Sequence, residues 1–134
     1  MEKEFIPYEQ ALALKELEFD EPCFGYYKPN GELDYIENHI LKDFPYLAKN
    51  SEWQDLVAAP LYQQAFKWFR EKYQIDSCIH RNGGMNIDER GFLPYYEVII
   101  RYKSPELKCV KYSHEEAELE CLKKLIEIVK QKDE

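Results

Sequence analysis

The stretch from Pro60 to Tyr73 constrains the fold more than any other part of the chain. On a wheel advancing about 100° per residue, Leu61, Tyr62, Ala65, Phe66, Trp68, Phe69 and Tyr73 fall within a stripe of about 160°. Gln63, Gln64, Lys67, Arg70, Glu71 and Gln74 fill the other side. No strand period fits this pattern, so the spacing predicts an amphipathic helix over residues 60–74. Pro60 suits the first helical position, where a missing N–H does no harm. Lys72 lies in the last turn, where a cation favours the negative end of the helix dipole. Aromatic side chains on one face can bury roughly 150–250 Å² each, which assigns the stripe to the core. The alternative is a partner groove lined by Tyr62, Trp68 and Tyr73, whose polar tips tolerate partial exposure.

Such a helix needs a sheet to pack on, and the rest of the chain supplies one. Residues 7–18 read as a first helix, ended by Asp20-Glu21-Pro22 because proline cannot continue it. Cys23 to Lys28 and Leu33 to Ile36 read as two strands joined by the turn residues Pro29-Asn30-Gly31. A third strand is expected over 75–81 and a fourth over 95–102, where Tyr96, Val98, Ile100 and Tyr102 alternate with Glu97 and Arg101. A short edge strand fits Leu107 to Lys111. Ser113-His114-Glu115-Glu116 is a capping box opening a last helix with Leu122, Leu125, Ile126 and Val129 on its apolar face. Glu118 projects into that apolar sector, where the helix N-terminus favours a carboxylate.

The expected fold is therefore α+β, in the order α-ββ-α-ββ-α, one antiparallel sheet with amphipathic helices packed on one face. It forms a single domain over 1–134, with an irregular connection at about 37–58, where Asn50-Ser51 could cap a short helix through Trp53 and Leu56. Tyr8-Glu9-Gln10-Ala11-Leu12 echoes Tyr62-Gln63-Gln64-Ala65-Phe66, a weak hint of two duplicated α-ββ units.

Charge and composition exclude some function classes. The chain has 26 acidic and 18 basic residues, a net charge of −8, which disfavours direct nucleic-acid binding. The same charge leaves room for an acidic mimic of nucleic acid. No apolar run approaches membrane-spanning length, and the charged start Met1-Glu2-Lys3-Glu4 does not read as a signal peptide, so a cytoplasmic location is expected. The cysteines Cys23, Cys78, Cys109 and Cys121 stand apart, as reduced and mostly buried thiols do.

Few residues point to chemistry, and no motif calls for a cofactor. Cys78 and His80 share a strand face, and Cys109 and His114 lie five apart, so the four could form a Cys2His2 tetrahedron. Their spacing matches no standard zinc module. Cys78 beside His80, with a nearby carboxylate, is also the candidate nucleophile and base for a small-ligand or hydrolytic enzyme. Arg81-Asn82-Gly83-Gly84 precedes no helix and reads as a turn, not a phosphate loop. Aromatic residues exceed what one small core easily hides, and Tyr26, Tyr27, Tyr35 and Trp53 are the candidate contact residues for a protein partner.

Three blocks carry a family resemblance: Pro7 to Leu17 with Phe19 to Tyr27; Ala59-Pro60 with Gln64 to Tyr73; and Glu115 to Ile126. In these, about half of the chain, the sequence resembles small uncharacterised proteins of gut Bacteroidales and their phages or prophages. The resemblance implies a mobile-element origin and no known activity, and it transfers no catalytic residue. The expected function is that of a phage- or prophage-type accessory protein acting by protein–protein contact without catalysis.

Overall fold

The computed structural model describes residues 2–35, 48–51, 55–82, 87–88, 91–92, 95–102 and 106–132. The chain divides into two compact units, Met1–Gln64 and Ala65–Glu134. The class is α+β, and the order of elements is roughly the expected one. Among the described residues, six strands form two three-stranded antiparallel sheets and two short strands pair apart from them, so the strands are not gathered in one sheet.

In the first unit a 3-10 turn, Glu2–Glu4, leads to α1, Tyr8–Glu16. Strands β1, Gly25–Tyr27, β2, Leu33–Tyr35, and β3, Val57–Ala59, follow, in sheet order β2-β1-β3. Pro29-Asn30-Gly31 makes the hairpin loop as its turn chemistry requires. Lys28 N–H donates to Glu32 O (2.9 Å), Gly31 N–H to Lys28 O (2.8 Å), and Gly31 takes φ +86°. The Asn30 side-chain oxygen accepts from Glu32 N–H at 3.0 Å. Gly25 opens the central strand for a steric reason. A Cβ there would lie 2.7 Å from the Phe5 ring, which itself packs on Tyr35 with centroids 5.3 Å apart.

Strand β3 begins at the end of the segment 37–58 read from sequence as an irregular connection. The short helix expected through Trp53 falls on residues 52–54, outside the described residues, and Leu56 is not helical. The Asn50 side chain donates to Phe19 O (2.8 Å) and accepts from Ala58 N–H (2.9 Å), which fixes the entry to β3.

Helix α2, Tyr62–Tyr73, crosses the division between the units. Its stripe is core: Tyr62, Ala65, Phe66, Trp68 and Phe69 are all buried. That removes the groove reading for Tyr62 and Trp68. Trp68 packs edge-on against both Phe69 (5.0 Å) and Tyr73 (5.4 Å), and Lys72 Nζ sits 5.1 Å from the Trp68 ring centroid. Pro60 precedes the helix instead of opening it, and its carbonyl accepts from Ile6 N–H at 3.0 Å.

The second unit continues with β4, Asp76–Asn82, the two-residue strands β5, Ile87–Asp88, and β6, Gly91–Phe92, then β7, Tyr95–Arg101, and β8, Leu107–Lys111. The main sheet has the order β4-β7-β8. Helix α3, His114–Lys132, packs on it. Ser113 Oγ accepts from Glu116 N–H at 3.1 Å, as the capping box predicts. Ala117, Cys121, Leu122, Leu125, Ile126 and Val129 form the buried stripe of α3, and Val98 and Ile100 the buried centre of β7. The two sheets differ in connectivity. The first strand is central in one (β2-β1-β3) and at the edge in the other (β4-β7-β8), which does not follow from simple duplication of one unit.

Candidate functional site

Most of the residues singled out for chemistry lie in β4, β7, β8 and α3, and pairing register decides which can meet. Cys78 pairs with Ile99 and His80 with Glu97, while Val98 pairs with both Ile79 and Cys109. Neighbouring residues of a strand point to opposite faces, so Cys78 and His80 lie on one face of the sheet and Cys109 on the other. The Cys109 face is the one covered by α3. Tyr96, on that face, meets the His114 ring edge-on at 5.6 Å, and Ser77 is the hydrogen-bond partner of Cys121. The four candidate zinc ligands are therefore split by the thickness of a sheet. Among the described residues, no group of three or more His, Cys, Asp or Glu is placed to hold a metal ion.

The face under α3 holds a pairing that sequence reading missed. His114 Nδ1 lies 3.3 Å from Glu118 Oε1, and Glu118 is only 9% exposed. The signal was present as the i,i+4 spacing on one helix face. Register also aligns Arg81, Tyr96 and Lys111 in a row across the three strands on this side. A buried carboxylate against one imidazole nitrogen fixes the ring's orientation, and Tyr96 packs against its edge.

The opposite face carries Asp76 against Arg101, Cys78 against Ile99, and His80 against Glu97. Cys78 is half-buried and His80 exposed. Arg101 is held by Glu106 at 2.9 Å, and that bond raises its already high pKa. Three cysteines sit above the ordinary thiol range, Cys23 pushed up to about 12 and Cys121 to about 11, both chiefly by burial. Cys109 is raised too, by burial and then by Glu120. None of these three is poised as a thiolate nucleophile.

The expected contact aromatics fare differently from one another. Tyr27 is a core residue: it is 8% exposed, donates its hydroxyl to Ile6 O at 2.6 Å and packs edge-on against Tyr8. Burial removes it from any contact surface. Tyr26 is half-buried, and its hydroxyl donates to Asp34 at 2.8 Å, which raises its pKa. Tyr35 is half-buried beside Phe5. Trp53 lies outside the described residues.

Exposed apolar surface gathers elsewhere. Leu107, Val110 and Tyr112 are 48%, 47% and 69% exposed, and all three belong to β8 or its immediate continuation. In the sheet β8 has a neighbour on one side only, among the described residues. A cavity of about 420 Å³ in the first unit is lined by Lys15, Glu18, Phe19, Asp20, Asn50 and Ser51. Several of its polar groups already hold the chain together. Lys15 Nζ donates to Leu56 O (2.8 Å), and Asp20 accepts from Ser51 N–H (2.7 Å), a bond that lowers the Asp20 pKa.

No protein-family model, curated protein or solved structure matches the chain.

Proposed function

We propose that the protein is a phage- or prophage-type accessory protein that acts by protein–protein contact, and that β8 is its contact edge. One observation carries the site: an edge strand that exposes apolar side chains on both faces, Leu107 on one and Val110 with Tyr112 on the other. An edge strand offers unpaired backbone N–H and C=O groups, and a partner strand added there gains main-chain hydrogen bonds while its side chains meet the exposed apolar ones. Tyr26, Tyr35 and Trp53 remain secondary contact candidates. The test is a pull-down from native lysate with the wild type, Val110→Lys and Trp53→Ala, each checked for unchanged melting. Loss of a captured protein with Val110→Lys supports the β8 site, and partner sets identical to wild type with both variants reject it.

A second reading draws on the register of β4 and β7. Glu97 stands opposite His80, and Cys78 precedes His80 by two residues on the same face. That is the order of nucleophile, base and carboxylate used by hydrolytic enzymes and some small-ligand enzymes. Pseudo-first-order alkylation of Cys78 by iodoacetamide tests it. A rate at neutral pH that falls at least tenfold with His80→Ala supports the reading. A rate equal to that of a free thiol, unchanged by the substitution, removes it.

A further inference from the structure

The geometry points to a second copy of this chain as the occupant of the β8 edge, paired antiparallel about a two-fold axis through Cys109. This rests on the reading of β8 as the contact surface and names the partner.

Of the two edges of the sheet, β4 presents Asp76, His80 and Arg81 exposed, while β8 presents Leu107 and Val110 exposed with Lys108 between them. Strand β8 is Leu107-Lys108-Cys109-Val110-Lys111. Edge lysines usually block strand addition, because like charges directly opposite repel. Here they block three self-pairings, and the short length of the strand disfavours two more. A two-fold axis perpendicular to the sheet keeps equivalent faces on one side, so residues that pair must point the same way. Centring the axis on Lys108 or on Lys111 sets that lysine against its own counterpart. Centring it on Val110 leaves Leu107 and Lys108 beyond the partner's strand, and centring it on Leu107 pairs almost none of β8. In-register parallel pairing stacks both lysines on themselves.

The register centred on Cys109 pairs all five residues. Leu107 faces Lys111 of the second copy, Lys108 faces its Val110, and Cys109 faces its Cys109. Each lysine stem then covers an apolar side chain while its charge stays in water. Tyr112 falls opposite Glu106 in the next row. The two sheets join into one of six strands, β4-β7-β8 continued by β8-β7-β4 of the second copy, with both α3 helices on the same side. A five-residue ladder is a small contact by the standard of about 1,200–2,000 Å² for stable complexes, so the dimer is concentration-dependent.

The two Cys109 Cα atoms would stand about 4.5–5.5 Å apart across the ladder, within the span a disulfide bridges. Two thiols lose two protons and two electrons to diamide, which is reduced to the hydrazine, and one S–S bond forms. The experiment is sedimentation of the full chain over a concentration series, followed by diamide treatment at mildly alkaline pH and non-reducing electrophoresis. Expected are a mass rising towards twice 16.1 kDa and a crosslinked dimer band that persists in Cys78→Ser and vanishes in Cys109→Ser. Val110→Lys, at a site already half exposed, sets a lysine opposite Lys108 of the second copy and returns the protein to a monomer. A wild type that stays monomeric up to its solubility limit overturns the inference, as does a dimer whose crosslink survives Cys109→Ser. A monomeric wild type that still loses a lysate partner on Val110→Lys rejects the second copy and leaves the β8 contact standing.

Discussion

Glu18 and Gln74 end α1 and α2 in the left-handed region, with φ of 67° and 55°. Glycine usually fills such a position, because a Cβ there crowds the following carbonyl. At Glu18 the geometry is a full Schellman cap: Phe19 N–H donates to Leu14 O (2.9 Å) and Glu18 N–H to Lys15 O (3.0 Å). The strain holds because the next residue is anchored. Phe19 after Glu18, and Ile75 after Gln74, are both completely buried. Relieving the strain at exposed Glu18 outweighs the extra chain entropy, so Glu18→Gly is expected to stabilise by about 0.5–1 kcal/mol in a urea melt. Gly25 shows the converse. Its space is filled by the Phe5 ring, so Gly25→Ala forces that ring to move and is expected to lower stability by about 1–3 kcal/mol. Neither position is legible in the sequence. A glutamate carries no sign that burial of its neighbour holds its φ positive, and a glycine at the head of a strand does not reveal which ring lies over it.

At the scale of elements, legibility follows how much a segment decides for itself. Helices α2 and α3 and the β1–β2 hairpin were readable because a 3.6-residue stripe, a capping box and Pro29-Asn30-Gly31 act through neighbours in the chain. Strand β3 was not, because Val57-Ala58-Ala59 has little intrinsic strand preference. It is a strand because β1 pairs with it and Asn50, distant in sequence from Phe19, links Ala58 of the strand to the Phe19 carbonyl. Replacing Asn50 with Ala leaves the Phe19 carbonyl and the Ala58 N–H without that partner, with an expected loss of about 1–3 kcal/mol in denaturant melts. Leucine at the same position should do no better, since the missing element is the pair of hydrogen bonds and not volume. The candidate site was half legible for a related reason. Alternation along one strand shows that Cys78 and His80 share a face. Only the pairing of Val98 with Cys109 shows that Cys109 lies on the opposite one. The His114–Glu118 pair, by contrast, needed nothing beyond one helix.

Over the whole molecule, the buried thiols couple folding to alkaline pH. Cys23 and Cys121 are 1% and 0% exposed, and burial raises their pKa from an ordinary value of 9.0 to about 12 and about 11. Burial disfavours the thiolate, so the folded chain holds both protons where the unfolded chain has released them. Between pH 9 and about 11 the unfolded state binds fewer protons than the folded one, and stability must fall as pH rises. The contribution is complete below the ordinary thiol pKa and is lost on the way up through the raised one. Each thiol sets a slope of about 1.4 kcal/mol per pH unit at most in that window. Tyrosines and lysines titrate nearby, so the quantity to measure is a difference: the slope of unfolding free energy against pH for the wild type, minus that for Cys23→Ala/Cys121→Ala. The double variant begins less stable at neutral pH, because it loses packing in two cores, but its stability should decline less steeply above pH 9. Parallel slopes would mean that both thiols ionise in the folded state as readily as in the unfolded one, which cannot be squared with their burial. Cys109 is also raised by burial, but it is only half-buried, which leaves its sulfur within reach of an oxidant where Cys23 and Cys121 are enclosed.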